Sequence, residues 1–360
     1  DMAKTRVLIV DDSALVRRIL SESLTGHPDI EVVGTAADPY IARDLIVELQ
    51  PDVLTLDIEM PRMDGLTFLR KLMQYRPMPV IVISSLAQAS CAAAMTALEE
   101  GAVEALAKPS GPNSVGDLRK TLADRVRSAA RARVRVGRPG PARQAAVSLP
   151  LATFRHSAMI AIGASTGGTE AIRQVLEQLP ANIPGTVITQ HIPAGFSRAF
   201  SERLNQLCRM EVKEAADGDE VRAGRVLIAP GGLHMVVRRN GSGYRVSVKD
   251  GPRVCYQRPS VDVLFRSVAE EAGAEAVGAL LTGMGNDGAA GLLQIRQGGG
   301  FTIAQDEESC VVFGMPKEAI RMEAAAQVLP LQRVAPAILR AVSVPISPAR
   351  PPERVADELP

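Results

Sequence analysis

No tryptophan occurs in the 360-residue chain, and aromatic residues make up only 3% of it. Stacking platforms for single-stranded nucleic acid are therefore not expected. No charge of one sign dominates, since 41 Lys and Arg face 40 Asp and Glu for a net charge of +1. That balance supplies no field to draw in nucleic acid or an anionic membrane surface. Only four cysteines are present, Cys91, Cys208, Cys255 and Cys310, and their spacing fits no metal-ligand pattern. Reduced thiols in a cytoplasmic protein are expected. No apolar run has the length of a membrane span. The first residues enter a strand-like run without a basic-then-apolar leader. Membrane insertion is not expected.

What is present is hydrophobic and patterned. At 46% hydrophobic, 360 residues suffice for two domains with full cores. Apolar runs at 6–10, 32–35, 53–56, 80–83 and 103–107 read as strands. Amphipathic stretches at 14–24, 40–49, 65–73 and 91–100, and one starting at 116, read as helices between them. This alternation, over residues 1–126, implies a parallel sheet covered on both faces. Residues 127–155 break the pattern, and 131–143 are rich in Arg, Gly and Pro. They read as a solvated linker that can begin as an extension of the last helix, with docking on an acidic partner as the alternative. A second α/β pattern fills 156–343, with strands at 158–162, 186–189, 226–229, 276–281 and 301–304. Runs at 234–239 and 244–248 flank Asn240-Gly241-Ser242-Gly243, a hairpin signal. The second sheet is therefore expected to be doubly wound and mostly parallel, with an antiparallel addition. The Pro-rich tail, 344–360, is expected to be disordered.

Residues just past the strand ends of a parallel sheet gather in one crevice. In the first half these are Asp11, Asp12, Asp57, Ser84, Ser85 and Lys108. Carboxylates at one rim repel each other unless a divalent cation neutralises them, and hard oxygen ligands suit Mg2+. Asp57, expected on a central strand, is the best nucleophile toward a phosphoryl group. Lys108 would pair with a phosphoryl oxygen. Taken singly, an Asp-Asp pair after a strand is a turn or a helix cap. The segment as a whole resembles the response-regulator receiver family. The matching residues are Asp11-Asp12, the string from Asp57 through Met60-Pro61 to Asp64-Gly65, Ser84 and Lys108-Pro109. The resemblance implies a flavodoxin-like, five-stranded parallel sheet. It also implies phosphorylation at Asp57, Mg2+ on Asp11, Asp12 and Asp57, and Ser84 as the switch hydroxyl. A sensor histidine kinase is the implied phosphodonor. Where receivers often carry a moving aromatic, this chain has Ala105.

In the second half, Gly163-Ala164-Ser165-Thr166-Gly167-Gly168 lies between a strand and a helical stretch. This turn reads either as a phosphate cradle or as a nucleophile on a tight strand-to-helix turn. It is neither a Gly-x-Gly-x-x-Gly string nor a Walker loop. Two other strand ends decide between them, one leading to His191 and one to Asp287. A serine hydroxyl needs a base to take its proton, and an imidazole does so near neutral pH. A carboxylate then fixes the tautomer and stabilises the charged ring. His234 is the rival base, and Asp287-Gly288 alone would be an ordinary turn.

This half resembles the catalytic domain of chemotaxis protein-glutamate methylesterases. The resemblance rests on 163–168, 190–193, Ala229-Pro230-Gly231-Gly232 with His234, Arg258-Pro259-Ser260-Val261-Asp262, 281–291 and 312–316. It implies a Ser165, His191 and Asp287 triad, an oxyanion contact from the Met284 N–H, and Thr166 beside His191. It further implies hydrolysis of glutamyl methyl esters, and deamidation of selected glutamines, on the cytoplasmic helices of methyl-accepting chemoreceptors. A common family histidine is Gln257 here. The expected protein is thus a hydrolase under phosphorylation control. The alternatives are a regulator whose second half only binds a partner or nucleotide, and a DNA-binding regulator. The charge balance argues against the last.

Overall fold

The computed structural model describes residues 4–61, 63–109, 112–134 and 153–344. The N-terminal unit contains β1 (Thr5–Val10), α1 (Ala14–Leu24), β2 (Ile30–Ala36), α2 (Pro39–Leu49) and β3 (Val53–Asp57). It continues with α3 (Gly65–Tyr75), β4 (Val80–Ser84), α4 (Gln88–Glu99), β5 (Glu104–Ala107) and α5 (Pro112–Ala130). The sheet order is β2-β1-β3-β4-β5 and every pairing is parallel. β3 and β4 are buried throughout, as sheet strands covered on both faces must be. Helix starts carry the expected caps, with Ser13 before α1, Asp38 before α2 and Asp64 before α3. α4 has no capping side chain.

The C-terminal unit contains β6 (Met159–Ala164), α6 (Gly168–Glu177), β7 (Thr186–Gln190), α7 (Phe196–Leu207), β8 (Glu211–Glu214) and β9 (Glu220–Val221). Then come β10 (Arg225–Ile228), β11 (His234–Asn240), β12 (Gly243–Lys249), α8 (Val261–Ala272) and β13 (Ala276–Leu280). The last elements are α9 (Ala289–Gln297), β14 (Phe301–Gln305), α10 (Met315–Arg321), β15 (Gln327–Leu329) and α11 (Leu331–Val342). Seven strands form a wholly parallel sheet in the order β15-β14-β13-β6-β7-β10-β8.

Three details differ from the sequence reading. The hairpin β11-β12 is antiparallel, but it does not extend the main sheet; it joins β9 in a separate three-stranded sheet. The edge strands β8 and β15 are additional. The helix expected from residue 116 starts earlier, at Pro112, and it runs to Ala130, so the linker begins as an extension of that helix. Most of the expected linker and nearly all of the Pro-rich tail lie outside the described residues. Among the described residues no helix is long and apolar enough to cross a membrane.

β6 sits in the middle of the seven-stranded sheet with β13 on one side and β7 on the other. Helices lead away from their C-terminal ends, so three loops converge at one crevice. Those loops carry Ser165, His191 and Asp287. Glycine permits the close packing there. A Cβ at Gly283 would meet the Ser165 Cβ at 2.7 Å, and Gly167 has φ +76°, in the left-handed region.

Candidate active site

Ser165 immediately follows β6, and its N–H donates to the Thr282 carbonyl at 3.0 Å. His191 immediately follows β7, and its N–H donates to the Ala164 carbonyl at 3.1 Å. Ala164 and Gln190 are register partners, so Ser165 and His191 emerge side by side. Asp287 comes from the loop between β13 and α9. His191 Nε2 lies 2.7 Å from Asp287 Oδ2, with both side chains buried. His191 Nδ1 is buried and has no hydrogen-bond partner. The structure therefore brings His191 and Asp287 into contact, while Ser165 is adjacent without a hydrogen bond to the ring.

Asp287 is saturated with donors. Ser260 Oγ donates to Oδ1 at 2.8 Å, Asp262 N–H to Oδ1 at 3.0 Å, and Val261 N–H to Oδ2 at 2.7 Å. Ser260 caps α8, so the carboxylate sits at a helix N-terminus. Burial is the largest single influence and raises the Asp287 pKa. The hydrogen bonds from His191, the Asp262 peptide and Ser260 outweigh it and hold the carboxyl below its usual range. An ionised Asp287 assigns the proton to His191 Nε2 and leaves Nδ1 as a free acceptor. The pairing through Nε2 and the three α8 donors were not foreseen from sequence. The string Arg258-Pro259-Ser260-Val261-Asp262 was a signal for them.

His234, the rival base, is engaged elsewhere. Its Nε2 is 2.8 Å from the Pro252 carbonyl, and its Nδ1 accepts the Ser260 N–H at 3.3 Å. Met284 follows Gly283, whose N–H donates to the Val312 carbonyl at 3.0 Å. The loop holding the Met284 peptide is thus fixed against Ser165. Thr166 Oγ1 donates to Glu104 Oε2 at 3.3 Å and accepts from Ser128 Oγ at 3.2 Å. Both partners belong to the N-terminal unit.

That unit covers the crevice. The space around Ser165, Thr166, Gln190 and His191 is closed off by Leu98, Val103, Glu104 and Ala105. Ser165 and Thr166 are each only 2% exposed. Arg203 Nε of α7 pairs with Glu99 Oε1 of α4 at 2.7 Å, fastening the two units at one side. On another side, Arg133 N–H donates to the Val311 carbonyl at 3.0 Å.

The second cluster lies in the N-terminal unit. Asp11, Asp12 and Asp57 offer oxygens within 4.8 Å of one another. Lys108 Nζ is 2.6 Å from Asp57 Oδ2 and 3.5 Å from Asp11 Oδ2. Asp57 Oδ1 accepts the Glu59 N–H at 2.9 Å. Burial pushes the Asp57 carboxyl up to about 6, against the lowering influence of Lys108. Asp11 is also raised, again chiefly by burial. Its buried Oδ2 accepts no hydrogen bond. A single ammonium thus undercompensates three carboxylates, and the hard-oxygen set with its orphaned atom fits a divalent cation. Ser84 Oγ instead donates to the Ser90 carbonyl of α4 at 3.2 Å.

Comparison with known proteins agrees with this architecture. Residues 160–338 match the CheB methylesterase family, and residues 7–119 match the response regulator receiver domain family. A protein-glutamate methylesterase/protein-glutamine glutaminase of Syntrophus aciditrophicus is 53% identical over 347 residues, covering 95% of this chain and 100% of the relative. The Escherichia coli protein of that description is 52% identical, covering 95% of this chain and 98% of its own length. The solved Thermotoga maritima CheB methylesterase catalytic domain is 36% identical with a TM-score of 0.50. It covers 51% of this chain and 97% of that structure. The chain belongs to the receiver-linked CheB methylesterase family, the protein-glutamate methylesterases/protein-glutamine glutaminases of chemotactic adaptation.

Proposed function

We propose that Ser165, His191 and Asp287 hydrolyse glutamyl methyl esters on the cytoplasmic helices of methyl-accepting chemoreceptors. The observation that carries this reading is the buried His191–Asp287 pair with Nδ1 free beside Ser165. Ser165 Oγ attacks the side-chain carbonyl carbon while His191 Nδ1 takes the hydroxyl proton. The tetrahedral oxyanion is held by peptide N–H groups, that of Met284 among them, a contact worth about 3 kcal/mol of barrier. The C–O bond to methoxide breaks, and His191 returns the proton so that methanol leaves. Water then attacks the acyl-serine, its proton passing to His191 and on to Ser165 Oγ, and a glutamate carboxyl is released. On a glutamine side chain the same sequence releases ammonia. The hydroxyl of Thr166 lies on the receiver side of the crevice and supports closure.

Access is the second part of the proposal. Residues 1–126 form the receiver, 127–155 the linker, whose first residues continue α5 to Ala130, 156–343 the catalytic domain and 344–360 the tail. A sensor histidine kinase donates a phosphoryl group to Asp57. Asp11, Asp12 and Asp57 would hold Mg2+, which supplies charge neutralisation for the phosphoryl oxygens. Lys108 stabilises the transferred group, and Ser84 turns from Ser90 to hydrogen-bond it. The closed crevice supports this control, since a helix about 10 Å across does not reach a serine covered by Glu104 and Ala105. Ser165→Ala should abolish methanol release from methyl-labelled receptors with the fold intact. Release at the wild-type rate would remove Ser165 from the reaction. A small phosphodonor with Mg2+ should raise the wild-type rate and leave Asp57→Asn unchanged.

A further inference from the structure

We infer that Tyr256 is a specificity-determining residue that grips the receptor helix beside the catalytic carboxylate. The inference rests on the reading above, in which the substrate is a helix of a receptor bundle. Val254 and Gln257 exchange both backbone hydrogen bonds, at 3.0 and 2.9 Å, closing a two-residue hairpin turn over Cys255 and Tyr256. Both turn residues lie in the left-handed region, with φ of 49° and 64°. Asn-Gly or Gly-Gly suits such a turn; a bulky aromatic at the second position is strained. Nothing in the fold repays that strain, because Tyr256 is 88% exposed, the most exposed of the large hydrophobic side chains among the described residues.

The position of the turn gives the strain a use. Cys255, Asp262 and Asp287 bring side-chain ligand atoms within 4.8 Å of one another. The Sγ of Cys255, the neighbour of Tyr256, donates to Asp262 Oδ2 at 3.8 Å and lies within 4.8 Å of the carboxylate that orients His191. A helix seated over Ser165 has a diameter of about 10–12 Å with its side chains. On this inference its footprint covers this turn as well as the catalytic groups. The receiver leaves Tyr256 uncovered, so the residue is presented to the substrate in the closed form as well. Arg253 Nη1 donates to the Tyr256 carbonyl at 3.5 Å, and Arg258 Nη1 donates to the Gly251 carbonyl at 2.7 Å. These contacts hold the loop around the turn, and the exposed phenol offers an apolar face and a hydroxyl suited to a helix surface that carries glutamyl esters and amides. Aromatic and Arg residues are the side chains that most often anchor protein interfaces.

Tyr256→Gly tests this in the full chain, with Mg2+, a small phosphodonor and membranes containing methyl-esterified chemoreceptors. Glycine relieves the backbone strain, so the thermal midpoint should rise by about 2 °C. The KM for receptors should rise about fivefold or more, the loss expected for an interface anchor, while kcat is retained. Tyr256→Phe should recover most of the affinity. A more stable variant with unchanged KM would overturn the inference. So would a lowered midpoint, which would mark Tyr256 as a packing residue, or a loss confined to kcat. Wild-type protein assayed in parallel separates these results from failure of the receptor reading. No methanol from wild type would sink both, whereas wild-type turnover with an unchanged variant KM sinks only this one.

Discussion

Asp287 accepts four hydrogen bonds, three of them from the start of α8. Ser260 is the one side-chain donor among those three, so it acts as a positioning residue. Ser260→Ala should lower kcat about tenfold, the value of one hydrogen bond to a charged group, with little change in KM. Steady-state rates on methylated receptors check this. The depressed pKa of Asp287 has a defined sign. The folded protein keeps this carboxyl ionised where the unfolded chain protonates it. Its stability contribution is therefore present above the ordinary carboxylate range, about pH 4, and is lost as pH falls through the depressed value. The stability gap between wild type and Asp287→Asn should be constant from about pH 6 to 8 and shrink in acid, as urea denaturation would show. Ser165, His191 and Asp287 were singled out because each lies in the loop after an apolar run of a parallel pattern, and the fold brings those three loops to one crevice. Ser260 was not, because its role arises from a contact between loops 27 residues apart. The choice of ring nitrogen on His191 depends on the directions in which the loops leave their strands, which spacing does not encode.

Among the elements, α4 joins the two functions. It starts without a capping side chain, and Ser84 holds its first turn through the Ser90 carbonyl. Ser90 in turn donates to Glu59, two residues from Asp57. Its other end pairs Glu99 with Arg203 of α7. Arg203→Glu places like charges there and should raise the unphosphorylated rate by roughly two- to fivefold, the scale of a partly exposed ion pair. No change in that basal rate would discount the pair as a fastener. Strand and helix order was readable almost throughout, since α/β alternation leaves a strong periodic trace. β8 and β15 escaped because edge strands are short and carry polar residues such as Glu211, Lys213 and Gln327. The hairpin was readable from Asn240-Gly241, whereas its partner β9 has only two residues and leaves no periodic signal. Ala105 has a structural place as well: it lines the covered crevice, where a larger side chain would compete with the closed packing.

Across the whole molecule, closure buries an ionisable group from the receiver. Glu104 is raised by burial, partly offset by Arg125, which lies 2.7 Å away. A carboxyl with a raised pKa in the closed arrangement binds a proton more tightly there than when exposed. Closure is thus favoured at low pH and weakens as pH rises through the raised value. The basal rate of unphosphorylated protein should climb with pH above the ordinary carboxylate range, and Glu104→Gln should flatten that slope. A slope unaltered by the substitution would detach Glu104 from closure.

The His191–Asp287 pair is complete beneath the receiver. A base and carboxylate already paired there predict that signalling sets how many molecules are open at a given moment, and not how fast each open one works. A serine-directed phosphonate should then label phosphorylated and unphosphorylated protein with one intrinsic rate constant, scaled only by the fraction uncovered.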